Sequence, residues 1–139
     1  MKIKIGINGL GRIGRMVIRA IFENKYKNIE IKQINNRTNS EISASLIKYD
    51  SIHGRFNSKV TFDKNNIIIG GKKIPYTQET EVHNIKWKKN NVDVVLECTG
   101  KFNSKDKLLS HLKNGAKKVI VSAPCKNADR TIVFGVNEH

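Results

Sequence analysis

The chain has 139 residues, 38% of them hydrophobic and 27% charged, with two prolines and two cysteines. This is the size and balance of one globular domain without a disulfide framework, suited to a reducing cytoplasm. No run approaches the roughly 18 apolar residues of a membrane span, and the start, Met1-Lys2-Ile3-Lys4, has no signal-peptide core. A formal net charge of +14 raises nucleic acid or an acidic partner as a question. The lysines are nevertheless spread, clustering only in pairs such as Lys72-Lys73, Lys88-Lys89 and Lys117-Lys118. A generally cationic, solvated surface is expected, not a dedicated nucleic-acid face.

In chain order, Lys2–Ile7 alternates lysine and isoleucine, a strand pattern, and leads into the glycine-rich stretch Gly6–Arg15. Arg12–Glu23 then places Ile13, Met16, Val17, Ala20 and Ile21 at helical spacing. A second strand follows at Ile29–Asn35 and ends in the polar cluster Asn35-Asn36-Arg37-Thr38-Asn39. Ser40–Lys48 has helical character. Asn66–Pro75 reads as a hairpin, since Gly70-Gly71 separates two isoleucine-bearing runs and suits a two-residue primed turn.

Val92–Leu96 is a short apolar strand closed by Glu97-Cys98-Thr99-Gly100. Ser104–Asn114 predicts a helix with Ser104 as cap, Leu108, Leu109 and Leu112 on one side, and Gly115 as its stop. Val119–Ser122 and Thr131–Val136 predict two more strands. The alternation implies an α/β fold: a Rossmann-like, doubly wound, mostly parallel sheet with an inserted β-hairpin, forming one domain over residues 1–139.

Gly9-x-Gly11-x-x-Gly14 falls between a predicted strand and a predicted helix, the setting in which this spacing signifies a dinucleotide-binding turn. Gly9 permits the tight turn, Gly11 lets backbone approach a diphosphate, and Gly14 lets helix and strand pack closely. The helix N-terminus offers unpaired N–H groups, with Arg12 and Ile13 as backbone donors.

The stretch Asn8-Gly9-Leu10-Gly11-Arg12-Ile13-Gly14-Arg15 resembles the N-G-F-G-R-I-G-R signature of phosphorylating glyceraldehyde-3-phosphate dehydrogenases. Further motifs of that family follow in order: Tyr49-Asp50-Ser51-Ile52-His53-Gly54 is similar to Y-D-S-x-H-G, and Glu97-Cys98-Thr99-Gly100 to E-[SC]-T-G. Ser122-Ala123-Pro124 matches S-A-P, and Gly135-Val136-Asn137 matches G-V-N. The resemblance runs through the whole chain and covers about the first two-fifths of the usual subunit. Erythrose-4-phosphate dehydrogenase is a close relative sharing these motifs.

The resemblance implies NAD or NADP as cofactor, a cytoplasmic glycolytic oxidoreductase, and a homotetramer when full length. It places Asn36 where the family usually has an aspartate on the adenine ribose. Thr99 and Gly100 would line the cofactor cleft with Phe102 beside them, and Ser122 would lie near the nicotinamide. Thr80 stands where the family often has arginine, in a segment whose main chain approaches the adenine.

The family's nucleophilic cysteine, in S-C-T-T-N, and its histidine base do not occur in the chain, so no catalytic residue is assigned here. Cys98 is expected to be a packed side chain and Cys125 a loop thiol with Lys126 beside it, reactive at most. His53, His83, His111 and His139 lack metal-ligand spacing. Trp87 is expected to cover the edge of the core. A neutral Asn36 carries no charge to exclude a 2′-phosphate, and Arg37 offers a planar charged fork toward one, so NADP as well as NAD is expected. Two other readings stand beside the dehydrogenase: a free-standing dinucleotide-binding module, and a basic protein using this fold for RNA or an acidic partner.

Overall fold

A computed structural model describes all residues from Met1 to His139. Its first unit is β1 (Ile3–Asn8), α1 (Arg12–Glu23) and β2 (Ile29–Asn35), followed by α2 (Ser40–Lys48). A small antiparallel pair, β3 (Tyr49–Asp50) and β4 (Gly54–Arg55), precedes β5 (Val60–Asp63), β6 (Asn66–Ile69) and β7 (Lys72–Thr77). Two 3-10 turns, Val82–Asn84 and Trp87–Asn90, lead to β8 (Val94–Glu97), α3 (Lys105–Lys113) and β9 (Lys118–Val121).

Seven strands form one sheet in the order β5-β6-β7-β2-β1-β8-β9. Strands β7, β2, β1, β8 and β9 are parallel, and at one side β6 runs antiparallel to both of its neighbours, β7 and β5. The chain winds outward from β1 through β2 to β7, then returns to lay β8 on the other side of β1. The carboxyl ends of β1 and β8 therefore flank the switch point, where open α/β sheets bind ligands.

Strand alternation on β1 divides the core. Ile5 and Ile7 join Ile18 of α1, Ile47 of α2 and Phe56 in the larger apolar cluster. Gly6 points the other way, and a Cβ there would stand 2.6 Å from the Trp87 ring. Trp87 packs on that second face with Ile85, Val92, Val95 and Ala116. Each fully buried isoleucine, such as Ile7 or Ile18, contributes about 1.5–3 kcal/mol.

Several expectations change in detail. The Gly70-Gly71 hairpin forms, with both glycines at positive φ (56° and 83°), but it extends the main sheet because β7 pairs parallel to β2. Leu109 and Leu112 are 37% and 41% exposed, while Leu108 and His111 form the buried face of α3. Trp87, expected at the edge of the core, is fully buried. Ser104 occupies the N-cap position of α3 without a side-chain cap bond; its neighbours instead exchange backbone bonds with Lys126.

Thr131–Val136 is not a strand. Asn137 accepts from Val133 N–H and donates to Thr131 O, and Val136 N–H donates to Val133 O, so backbone groups that a ladder needs are used locally. No helix is long and apolar enough to cross a membrane.

Candidate functional site

A cleft of about 580 Å³, including its open mouth, lies at the carboxyl ends of β1, β2 and β8. That is within the size range of small-molecule sites. The glycine turn forms its floor. Gly9 has φ +99°, a conformation that disfavours side chains, and its N–H donates to Asn35 O. A Cβ on Gly14 would fall 2.2 Å from Gly9 O, so this residue brings α1 against the turn. Gly11 differs: its added Cβ would meet only Cys98 O at 3.8 Å, an ordinary contact. The protein itself leaves room at Gly11, on the side facing the cleft.

Helix α1 begins without a side-chain cap and without an acidic residue in its first turn. Helix α2, by contrast, is capped by Asn39 and carries Glu41 in its first turn. The first N–H groups of α1 thus keep their capacity for an external anion. Arg12 and Ile13 provide that turn, with the Arg12 guanidinium held 3.3 Å from Asp50 Oδ2. Asp50 also accepts from the N–H groups of His53 and Ile52, which, ahead of Arg12, hold its carboxyl far below the usual range. The Y-D-S-x-H-G loop is thereby tied to the start of α1. Arg15 reinforces it, donating to Leu10 O at 3.1 Å and standing 3.8 Å from Asp50.

Of the residues singled out in the sequence, Gly9, Gly11, Asn36, Arg37, Thr80, Thr99 and Phe102 share the cleft. Arg12, Ile13 and Gly14 form the adjoining helix start. Gly100 and Ser122 are exposed and stand outside the lining. Gly100 has φ +73° after β8, and Ser122 closes β9, its N–H and Oγ both donating to Glu97 O. Arg37 is exposed and takes part in none of the ion pairs.

The sequence reading missed the polar frame behind these residues. Asn35 has all its amide capacity used: its Oδ1 accepts from Thr77 Oγ1 and Glu79 N–H, and its Nδ2 donates to Asn8 Oδ1 and Glu79 O. It fixes the Glu79-Thr80 segment at the mouth of the cleft. Glu97, fully buried, accepts from Asn8 Nδ2 at 2.7 Å and from both the N–H and the hydroxyl of Thr99 at 3.0 and 2.6 Å. Lys101 also reaches the cleft. The signal available for it was its place just beyond the end of a parallel strand.

Cys98 is buried beside Gly14, and burial raises its thiol against an opposing bond from Ser122, with the Glu97 charge adding a lesser push upward. That is the environment of an inert packed thiol. No group of three or more His, Cys, Asp or Glu side chains stands together as metal ligands.

A parallel sheet whose first strand ends in a glycine turn and an uncapped helix, at the switch point, defines the Rossmann class of dinucleotide-binding α/β domains. Residues 3–105 match the family model described as glyceraldehyde 3-phosphate dehydrogenase, NAD binding domain, and the chain belongs to that family. It is 46% identical over 138 residues to the glyceraldehyde-3-phosphate dehydrogenase of Geobacillus stearothermophilus, covering 99% of this chain and 41% of that protein. It is 47% identical over 139 residues to glyceraldehyde-3-phosphate dehydrogenase 2 of Bacillus subtilis, again with 99% of this chain and 40% of the relative covered. The corresponding enzyme of Cereibacter sphaeroides is 48% identical over 137 residues, with coverage of 99% and 40%. The chain thus spans about 40% of the length of these relatives.

Proposed function

We propose that residues 1–139 form the cofactor-binding domain of a phosphorylating dehydrogenase that oxidises glyceraldehyde 3-phosphate to 1,3-bisphosphoglycerate with NAD(P) and phosphate. The observation that carries this reading is the uncapped start of α1 behind Gly11, with free space where its side chain would be. The cofactor, when bound, accepts hydride at its nicotinamide. The chain's own residues hold and orient it. Gly9, Gly11 and Gly14 shape the turn, and the backbone N–H groups of Arg12 and Ile13 face the diphosphate. Asn36 and Arg37 serve the adenine ribose, and Thr80 offers main chain near the adenine. Thr99, Gly100 and Phe102 border the path toward the nicotinamide, with Ser122 beyond them.

Arg37, free of ion pairs at the end of β2, supports acceptance of a 2′-phosphate, and hence NADP beside NAD. The full-length protein is proposed to be a cytoplasmic homotetramer. Erythrose 4-phosphate is the alternative substrate, since erythrose-4-phosphate dehydrogenase shares the motifs of this chain.

The 139-residue chain by itself is proposed to bind cofactor without turnover. Neither Cys98, packed and raised by burial, nor Cys125, whose only polar contact is Lys126 O at 3.7 Å, has a histidine base to activate it. The test is an assay of glyceraldehyde 3-phosphate oxidation with NAD, NADP and phosphate. The full-length protein turns over and the 139-residue chain does not. Turnover by the short chain that a Cys98→Ser or Cys125→Ser change abolishes would overturn the reading.

A further inference from the structure

A chain of hydrogen bonds runs from β7 to the glycine turn through groups that no motif announces. Tyr76 Oη lies against Thr38 O and 2.7 Å from Ser43 Oγ. Ser43 Oγ lies 2.9 Å from Thr38 Oγ1. Asn36 Nδ2 reaches both hydroxyls, at 3.0 Å to Thr38 and 3.3 Å to Ser43, while Asn36 Oδ1 accepts from Leu10 N–H at 3.2 Å. Ser43 is fully buried and Tyr76 4% exposed, so water does not complete their hydroxyls, while Thr38 and Asn36 are half-buried.

Donor and acceptor capacity fixes the direction of every bond. A carbonyl only accepts, so the single Tyr76 proton goes to Thr38 O. Tyr76 Oη then accepts from Ser43, which spends the Ser43 proton. The Thr38 hydroxyl in turn donates to Ser43. Both hydroxyls now present only lone pairs to residue 36, and the N–H₂ group of Asn36 donates to both. At its other end the same side chain must offer an oxygen to Leu10 N–H. An asparagine amide, in one orientation, meets both demands, whereas a carboxylate would face lone pairs on two sides.

Resting on the assignment of residue 36 to the adenine ribose, we infer that Tyr76 and Ser43 are positioning residues for cofactor selectivity. Their relay commits position 36 to a neutral amide and so keeps the negative charge that disfavours a 2′-phosphate out of the ribose site. Neither side chain lines the cleft; both act through Asn36.

The effect of a charge at position 36 then depends on hydroxyls outside the cleft lining. Removing the Tyr76 oxygen lets Ser43 donate to residue 36. Removing the Ser43 oxygen lets Thr38 do so. The experiment is a double-mutant cycle in the full-length protein, titrating NAD and NADP into the unmodified protein, Asn36→Asp, Tyr76→Phe and the double variant. Asn36→Asp is expected to move the ratio of the two dissociation constants toward NAD. The same change beside Tyr76→Phe is expected to move it about tenfold further, the scale of one charge-assisted hydrogen bond. Ser43→Ala in place of Tyr76→Phe acts in the same direction, and this arm decides if the phenylalanine variant does not fold. A shift from Asn36→Asp that is equal with and without the Tyr76 and Ser43 hydroxyls overturns the inference while leaving residue 36 at the ribose. A ratio unmoved by Asn36→Asp and also by Arg37→Ala removes the ribose assignment, and the relay's role with it.

Discussion

His111 Nε2 stands 2.9 Å from Glu97 Oε1, and Trp87 Nε1 stands 2.9 Å from the other ring nitrogen of His111, with all three side chains buried. An indole N–H only donates, so His111 Nδ1 accepts and the ring proton sits on Nε2, directed at Glu97. The contact is therefore a hydrogen bond from a neutral imidazole to a carboxylate. It links the packing of α3 to the carboxylate that holds Asn8 and Thr99 at the cleft.

Glu97 accepts at both oxygens, from Asn8 and His111 at Oε1 and from Thr99 at Oε2. A glutamine amide must turn its N–H₂ group toward donors whichever way it is flipped. Glu97→Gln is expected to cost about 1.5–3 kcal/mol despite its similar shape, read from urea unfolding at neutral pH. A change within about 0.5 kcal/mol would show that the carboxylate is dispensable.

The same residue sets a pH dependence. Burial pushes the Glu97 carboxyl up, but the bonds from His111, Thr99 and Asn8 outweigh it and hold the group below its ordinary value. Backbone N–H groups of His53 and Ile52 do the same, more strongly, for Asp50. For a depressed carboxyl, stabilisation is complete above the unfolded-state value of about 4 and is lost as pH falls below it toward the folded value. Stability is expected to be level from about pH 7 to 5 on the carboxylates' account and to fall below about pH 4. The Glu97→Gln variant should lose less over that interval, as read from unfolding midpoints. Equal losses in the two proteins would place the acid sensitivity elsewhere.

Arg37 carries the expectation about the second cofactor. Its replacement by alanine is expected to weaken NADP by about 10- to 150-fold, the worth of a charge-assisted bond, and to leave NAD nearly unchanged. Equal effects on both cofactors, measured by titration of the full-length protein, would mean that Arg37 points to solvent.

Strand β9 pairs only with β8, and Ile120 on it is 58% exposed. Ile132, Val133, Phe134 and Val136 are also exposed in the segment that follows. Apolar surface of this kind, together with an open strand edge, promotes association. The 139-residue chain is expected to associate as its concentration rises in analytical ultracentrifugation; a stable monomer at high concentration would contradict this.

The sequence disclosed whatever was written at short range. The periodicities of Ile3–Asn8 and Arg12–Glu23 and the glycines between them place the turn, and Gly70-Gly71 places the hairpin. What it concealed depends on partners far apart along the chain. Asn8 and Glu97 are 89 residues apart, Trp87 and His111 are 24 apart, and Ser43 and Tyr76 are 33 apart. No periodicity records such pairs. The face of α3 departs from its leucine pattern for the same reason: His111 is drawn inward by Trp87 and Glu97, and Leu109 and Leu112 turn outward as a result. Thr131–Val136 shows the converse, a run with strand composition whose local bonds to Asn137 displace a ladder.

If the glycine turn receives the diphosphate of a nicotinamide dinucleotide, Gly11 and Gly14 respond differently to an added side chain. A side chain at Gly14 meets Gly9 O at 2.2 Å and should destabilise the fold, by about 2 kcal/mol or more for Gly14→Ala. A Cβ added at Gly11 meets only Cys98 O, at 3.8 Å, an ordinary contact, so Gly11→Val is expected to fold and to fail where the ligand lies. The measurement is titration of NAD into the full-length protein and its Gly11→Val variant, with thermal unfolding of each. The expected result is a melting temperature within a few degrees of the unmodified protein and affinity for NAD reduced by at least about a hundredfold. Undiminished affinity in the folded Gly11→Val variant would contradict the account.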